Sequence, residues 1–104
     1  MTPHERLTVI AARLHGLYGN RLQGVVQYGS EVRGDARPDS DIDVLVLLDG
    51  PVDHGQELRS CIHATYPLTL AWERPISPQP VDAEEYRAAE WPLYRNAQKE
   101  GIAV

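Results

Sequence analysis

Residues 29–48 read GSEVRGDARPDSDIDVLVLL, and this stretch decides the fold. From Ile42 to Leu48 the chain is β-branched or leucine at every position except Asp43. Such a run suits a central strand buried on both of its faces. Just before and into it, Asp39, Asp41 and Asp43 put three carboxylates into five positions. These repel one another at the entrance to a segment that folding draws inward, so a positive group is expected to neutralise them.

Side chains two apart on a strand share a face, so Asp41 and Asp43 point one way and Ile42 the other. Two carboxylates so arranged can hold a divalent cation. Their hard oxygens select Mg²⁺ or Mn²⁺, which keeps several waters and is completed by substrate phosphates. Upstream, Val25 to Tyr28 is a short strand candidate ended by Gly29. Gly29 lets the backbone approach a phosphate, and the Ser30 hydroxyl with its neighbouring amides can bind phosphate oxygens. Arg33 can pair either with phosphate or with the clustered aspartates. Asp35 and Asp39 read as solvated loop and turn residues. The combination points to phosphoryl or nucleotidyl transfer; the plain alternative is a turn hydroxyl at Ser30 and a solvated turn around the aspartates.

Helix and strand signals alternate around this stretch. Thr2-Pro3-His4-Glu5 has capping-box spacing with Pro at the first helical position, and Leu7, Ile10, Ala11, Leu14 and Leu17 then form one apolar face up to a stop at Gly19-Asn20. His54 to Thr65 predicts a second helix with Leu58, Cys61 and Ile62 inward. Leu68, Leu70 and Trp72 alternate with Thr69, Ala71 and Glu73, which predicts a strand over Leu68–Glu73, parallel to Ile42–Leu48 through the crossover helix. Pro75, Pro78 and Pro80 predict an irregular connection next. Asp82 with Glu85 repeats the cap spacing and opens a last helix, broken at Pro92 and ended at Gly101. Ile102–Val104 is too short to assign. The fold class is α/β (α+β), a small mixed sheet with helices packed on it in one domain spanning residues 1–104.

Composition narrows the function. The net charge of −5 and the scattered basic residues argue against tight binding to a nucleic-acid backbone. The one cysteine, Cys61, cannot form an internal disulfide and suits a reducing compartment. No apolar run approaches the length of a membrane span and no leader pattern is seen, so a cytoplasmic location is expected. The four histidines lack metal-ligand spacing.

Gly29-Ser30, ten intervening residues, Asp41, one residue and Asp43 resemble the signature of the DNA polymerase β-like nucleotidyltransferase superfamily. The resemblance is closest to its minimal members. GSEVRGDARPDSDIDVLV, with Arg33-Gly34, Ala36 and Ser40, is similar to their motif nearly position by position, and YRNAQKEGIAV is similar to their carboxyl end. The resemblance implies Asp41 and Asp43 as catalytic metal ligands and Gly29, Ser30 and Arg33 as nucleotide-binding residues. It also implies a third carboxylate from a later strand, for which Glu73 is the candidate as metal ligand and general base, a solvent-facing acid at a strand end being its plain alternative. Such minimal proteins are commonly the antitoxin half of a module whose toxin is a small helical HEPN ribonuclease, and some transfer AMP from ATP to a tyrosine of that toxin.

Three readings follow. The first is an Mg²⁺-dependent transferase that moves a nucleoside monophosphate, AMP from ATP, to a hydroxyl of a partner protein. The second is a non-catalytic antitoxin that binds nucleotide and masks a toxin. The third is a small-molecule nucleotidyltransferase of the aminoglycoside kind, for which 104 residues leave little room to wall an acceptor pocket. A partner protein is expected to complete the site, docking on the carboxyl-terminal region around Tyr86, Trp91, Leu93 and Tyr94.

Overall fold

A computed structural model describes residues 1–35, 37 and 40–104. Its centre is β2, Ile42–Leu48, the apolar run of the quoted stretch. β2 pairs antiparallel with β1, Leu22–Tyr28, and parallel with β3, Ile76–Asp82. A two-residue β4, Ile102–Ala103, pairs antiparallel with β1, giving the sheet order β3-β2-β1-β4. The mixed sheet and packed helices are those expected from the sequence.

Because β2 is apolar at both parities, each face of the sheet has its own core. Ile42, Val44, Val46 and Leu48 are fully buried against Leu7, Ile10 and Leu14 of α1, Pro3–Tyr18, and against Cys61 and Leu68 of α3, His54–Trp72. Leu45 and Leu47, with Val26 of β1, pack on the opposite face against Ala83 and Tyr86 of α4, Ala83–Ala88, and Ala97 of α5, Pro92–Glu100. Each fully buried aliphatic side chain contributes about 1.5–3 kcal/mol, so the apolar residues of β2 anchor both layers. α1 starts as expected: the Thr2 side chain caps Glu5 and the Glu5 carboxylate returns to the Thr2 amide at 2.9 Å. Asp82 likewise accepts from the amides of Glu84 and Glu85 to start α4.

Three expectations are corrected. The strand over Leu68–Glu73 is the continuation of α3, which runs through Pro67 to Trp72. Proline inside a helix removes a hydrogen bond and disfavours helical geometry in its predecessor, which makes Thr65 a natural stopping point from sequence alone. Packing overrides it: Cys61, Thr65, Leu68 and Trp72 continue one inward stripe at helical spacing, while Leu70, which a strand would bury beside Leu68, is 62% exposed. The inward residue one turn earlier is Glu57 rather than Leu58 or Ile62; Ile62 is 46% exposed. Glu57 is tolerated inside because Arg21 pairs with it at 2.5 Å and the Tyr18 hydroxyl lies 3.3 Å from its carboxylate.

The irregular connection expected at Pro75–Pro80 is β3 itself, in register with β2 from Ile42↔Ile76 to Leu48↔Asp82. β3 is an edge strand, and Pro78 and Pro80 are two apart, so both missing N–H groups fall on one side of it, where the open edge asks for no donor. The parallel partner inferred for β2 therefore exists, one segment later in the chain.

The C-terminal turn is tight. The Gly101 amide donates to the Ala97 carbonyl at 2.8 Å, and a Cβ at Gly101 would come within 2.7 Å of Val26 Cγ1 and 2.9 Å of the Gln27 carbonyl oxygen. Gly101→Ala is expected to lower stability by about 1–3 kcal/mol, because β1 backbone cannot yield as a side chain could. Gly16→Ala, on α1 with open space around it, is expected to raise stability by about 0.5–1 kcal/mol. Urea unfolding of the two variants reads both signs.

Candidate active site

The odd-numbered residues of β2 bring Asp43 to the face that α4 and α5 cover only in part. Leu45 and Leu47 pack under those helices, and Asp43, nearer the start of the strand, is half-buried. Across the ladder Asp43 faces Tyr28 of β1 on one side and Ser77 of β3 on the other. Asp41 is exposed at the entrance to the strand and accepts a hydrogen bond from the Ser77 hydroxyl at 3.0 Å. Burial first, and then the charge of Asp41, push the Asp43 carboxyl above its ordinary range; Arg33 pulls in the opposite direction. The Tyr28 hydroxyl is pushed up as well, by burial and by Asp43. The crowding read from the sequence is thus a real electrostatic load at this end of β2.

Gly29 has φ 91°, and a Cβ there would overlap Asp43 Oδ2. Glycine is required on both counts: the backbone turns where L side chains are strained, and the carboxylate occupies the space. The turn opens a single helical turn, α2, Ser30–Arg33, closed by Gly34 in the left-handed conformation at φ 82°. Arg33 lies 3.7 Å from Asp35, both side chains more than half exposed, which places its charge near the acidic cluster and leaves it accessible to solvent. The structure therefore brings Gly29, Ser30 and Arg33 to the turn beside Asp43. Asp39 and Ala36, singled out from the sequence, lie outside the described residues.

Glu73 is not on a strand. It caps the C-terminus of α3 in the left-handed conformation, φ 54°, so the alternation that would have aligned it with Asp41 and Asp43 is absent. Among the described residues no group of three His, Cys, Asp or Glu side chains is placed to hold a metal ion. On β3 the positions that share the face of Asp43 are Ser77, Gln79 and Val81, none of them a carboxylate. Reading Pro75–Pro80 as irregular hid these positions.

The sequence also gave no hint of the ion-pair cluster behind the turn. Glu31 accepts from Arg6 at 2.9 Å and from Gln27 Nε2 at 2.8 Å, and pairs with Arg74. Burial raises the Glu31 carboxyl, but the hydrogen bonds from Gln27, Arg74 and Arg6 outweigh it and hold it down at about 2. The only signal in the sequence was a Glu within the GSEVRG stretch, and its three partners come from β1, α1 and the residue that follows the cap of α3.

The sequence profile of the nucleotidyltransferase domain matches residues 10–104, which include Gly29, Ser30, Arg33, Asp41, Asp43 and Glu73. The chain belongs to the nucleotidyltransferase domain family. No curated protein matches it significantly in sequence. Two solved structures share the fold of this nucleotidyltransferase domain at 20% identity. One is a toxin-antitoxin with AMP-PNP, with TM-score 0.63 over 91% of this chain and 69% of the other. The second is a tyrosine-to-alanine mutant of the toxin-antitoxin MntA-HpeT, with TM-score 0.62 over 93% of this chain and 70% of the other.

Two substitutions test the placement of Asp43 with opposite signs. Gly29→Ala is expected to destabilise the domain by about 1–3 kcal/mol through backbone strain and the carboxylate overlap. Asp43→Asn is expected to raise the melting temperature at neutral pH in chelator. An acid whose folded pKa is raised is a load that is absent below its unfolded pKa and fully present once pH has risen through the folded value. The gain from Asn should therefore vanish on acidification through the carboxylate range, which thermal melts across pH will show.

Proposed function

We propose that this nucleotidyltransferase domain transfers AMP from ATP to a hydroxyl of a partner protein, a tyrosine of a helical HEPN toxin, and thereby acts as its antitoxin. The observation that carries the reading is the arrangement at one end of β2: Asp43 on the strand, Asp41 just before it and hydrogen-bonded to Ser77, the residue paired with Asp43, and the Gly29-Ser30 turn packed directly on the Asp43 carboxylate. Two like charges crowded together with a backbone turn beside them fit a cation-bound triphosphate better than a purely structural end of a strand. The fold shared with a toxin-antitoxin structure containing AMP-PNP supports ATP as the donor and a toxin as the partner.

Asp41 and Asp43 would hold Mg²⁺ or Mn²⁺, with Ser77 fixing the Asp41 carboxylate through its hydroxyl. The bound cation would offset charge on the triphosphate and on the departing pyrophosphate. Gly29, Ser30 and Arg33 bind and orient the phosphates. The acceptor oxygen forms a bond to the α-phosphorus as the bond to the β-phosphate oxygen breaks. The facing positions of β3 hold no carboxylate and Glu73 sits on the cap of α3, so Glu73→Gln is expected to leave turnover within about twofold, against the loss of 10² or more that a general base would cause.

The same feature favours one second reading, nucleotide binding without transfer, in which the domain masks the toxin stoichiometrically. Incubation with ATP, GTP, CTP and UTP, Mg²⁺ and the purified partner, followed by intact mass measurement, separates the two. Addition of AMP to the partner, lost in the double variant Asp41→Asn with Asp43→Asn, is the expected result; a stable complex without added mass selects the second reading.

In the carboxyl-terminal region proposed to dock the partner, exposure separates core residues from surface ones. Tyr86 is buried and meets Tyr94 edge-on with ring centres 5.7 Å apart, so these belong to the core. Trp91 and Leu93 are 61% and 42% exposed at the start of α5. Leu93 and Tyr94 also line a groove of about 470 Å³ that includes Leu45 and Gln79, the next residues along the strand face that carries Asp43. Replacing Trp91 and Leu93 by Ala is expected to weaken partner binding by about 2 kcal/mol or more, and association of this acidic chain should weaken with added salt. Calorimetric titration at two salt concentrations checks both.

A further inference from the structure

We propose that Arg74 is a positioning residue that fastens the two halves of the site to each other. The inference rests on the reading of Asp41 and Asp43 as the cation and triphosphate site. The Arg74 guanidinium works in two directions. Nε and Nη2 donate to the Ser40 carbonyl oxygen at 3.1 and 2.9 Å, while Nη1 pairs with the Glu31 carboxylate. Ser40 immediately precedes Asp41, and Glu31 immediately follows Ser30. One side chain, 14% exposed, thus joins the backbone at the start of the aspartate strand to the helical turn that begins with Ser30.

The chain delivers Arg74 to this place through two local constraints. Glu73 adopts the left-handed conformation that ends α3, and the Pro75 carbonyl accepts from the Ile42 amide at 2.8 Å, so the residue between them is held against the entrance of β2. Arg6 and Gln27 hold the far side of Glu31, so the carboxylate that Arg74 grips is itself fixed to α1 and β1. An anchor is needed here because Asp41 is exposed at the strand entrance and is repelled by Asp43. A planar fork serves both acceptors with its donors in fixed relative directions. The lysine ammonium is a single point of charge and cannot hold the carbonyl and the carboxylate in fixed relative positions.

Three variants test the clamp. Arg74→Lys keeps a charge for Glu31 and loses the fork; Arg74→Gln removes the charge; Arg6→Gln cuts the same cluster on the side away from Ser40. Titration with Mn²⁺ and ATP is expected to show affinity about 10-fold weaker or more for both Arg74 variants and within about twofold of wild type for Arg6→Gln, although Arg6→Gln lowers the melting temperature comparably. Hydrogen exchange on the metal-free protein supplies a readout that needs no nucleotide: amides 29–34 and 41–43 should exchange faster in Arg74→Lys than in Arg6→Gln. Equal affinity loss in the Arg6 and Arg74 variants, unchanged affinity in Arg74→Lys, or identical exchange patterns overturns the clamp. A wild-type protein that binds no Mn²⁺ and ATP refutes the proposed function instead, and the exchange comparison still decides the role of Arg74.

Discussion

The constraint on which the rest depends is the burial of β2 on both faces. A strand with apolar side chains at every position but one needs cover above and below, which fixes three layers: α1 and α3, the sheet, then α4 and α5. The one charged position in that strand, Asp43, has no place in either core. It is accommodated half-buried at the start of the strand, against the Gly29 turn and beside Asp41, so the shape of this end of the sheet and the crowded carboxylates are two aspects of one packing solution. Stability and the candidate chemistry are thereby in tension at a single residue, with the apolar residues that follow it supplying the surplus.

Much of this was legible in GSEVRGDARPDSDIDVLVLL because its signals are local. Strand periodicity and the two-residue spacing of the aspartates follow from neighbours in the chain, and the capping box at Thr2 and the cap at Asp82 are local too. What was not legible depends on partners distant in sequence. Pro67 reads as a helix stop until the stripe through Leu68 and Trp72 meets the sheet, and Pro78 and Pro80 read as loop until the strand is known to lie at an edge. Glu31 and Arg74 are 43 residues apart, and neither residue type announces a pair.

Among the described residues, buried carboxylates are matched by arginine at two places. Beneath α3, Arg21 meets Glu57 with Tyr18 and Cys61 close by, a cluster that ties the first helical layer to the start of β1. Behind the site, Glu31 is shared among Arg6, Arg74 and Gln27. Such clusters add little to stability relative to an apolar core, but removing one member leaves a charge stranded, so they specify one arrangement over its near alternatives. The first fixes the packing of helix on sheet; the second lies against the segment that carries the aspartates.

The two prolines of β3 have a consequence for how the domain meets other proteins. With Pro78 and Pro80 turned to the open edge, that border lacks the regular ladder of donors that an incoming strand would use. Sheet extension from this side is blocked, which guards against edge-to-edge aggregation and removes backbone strand addition from the means of association there. Recognition on that flank has to use side chains and surface shape, a mode in which specificity can change by substitution without disturbing the sheet.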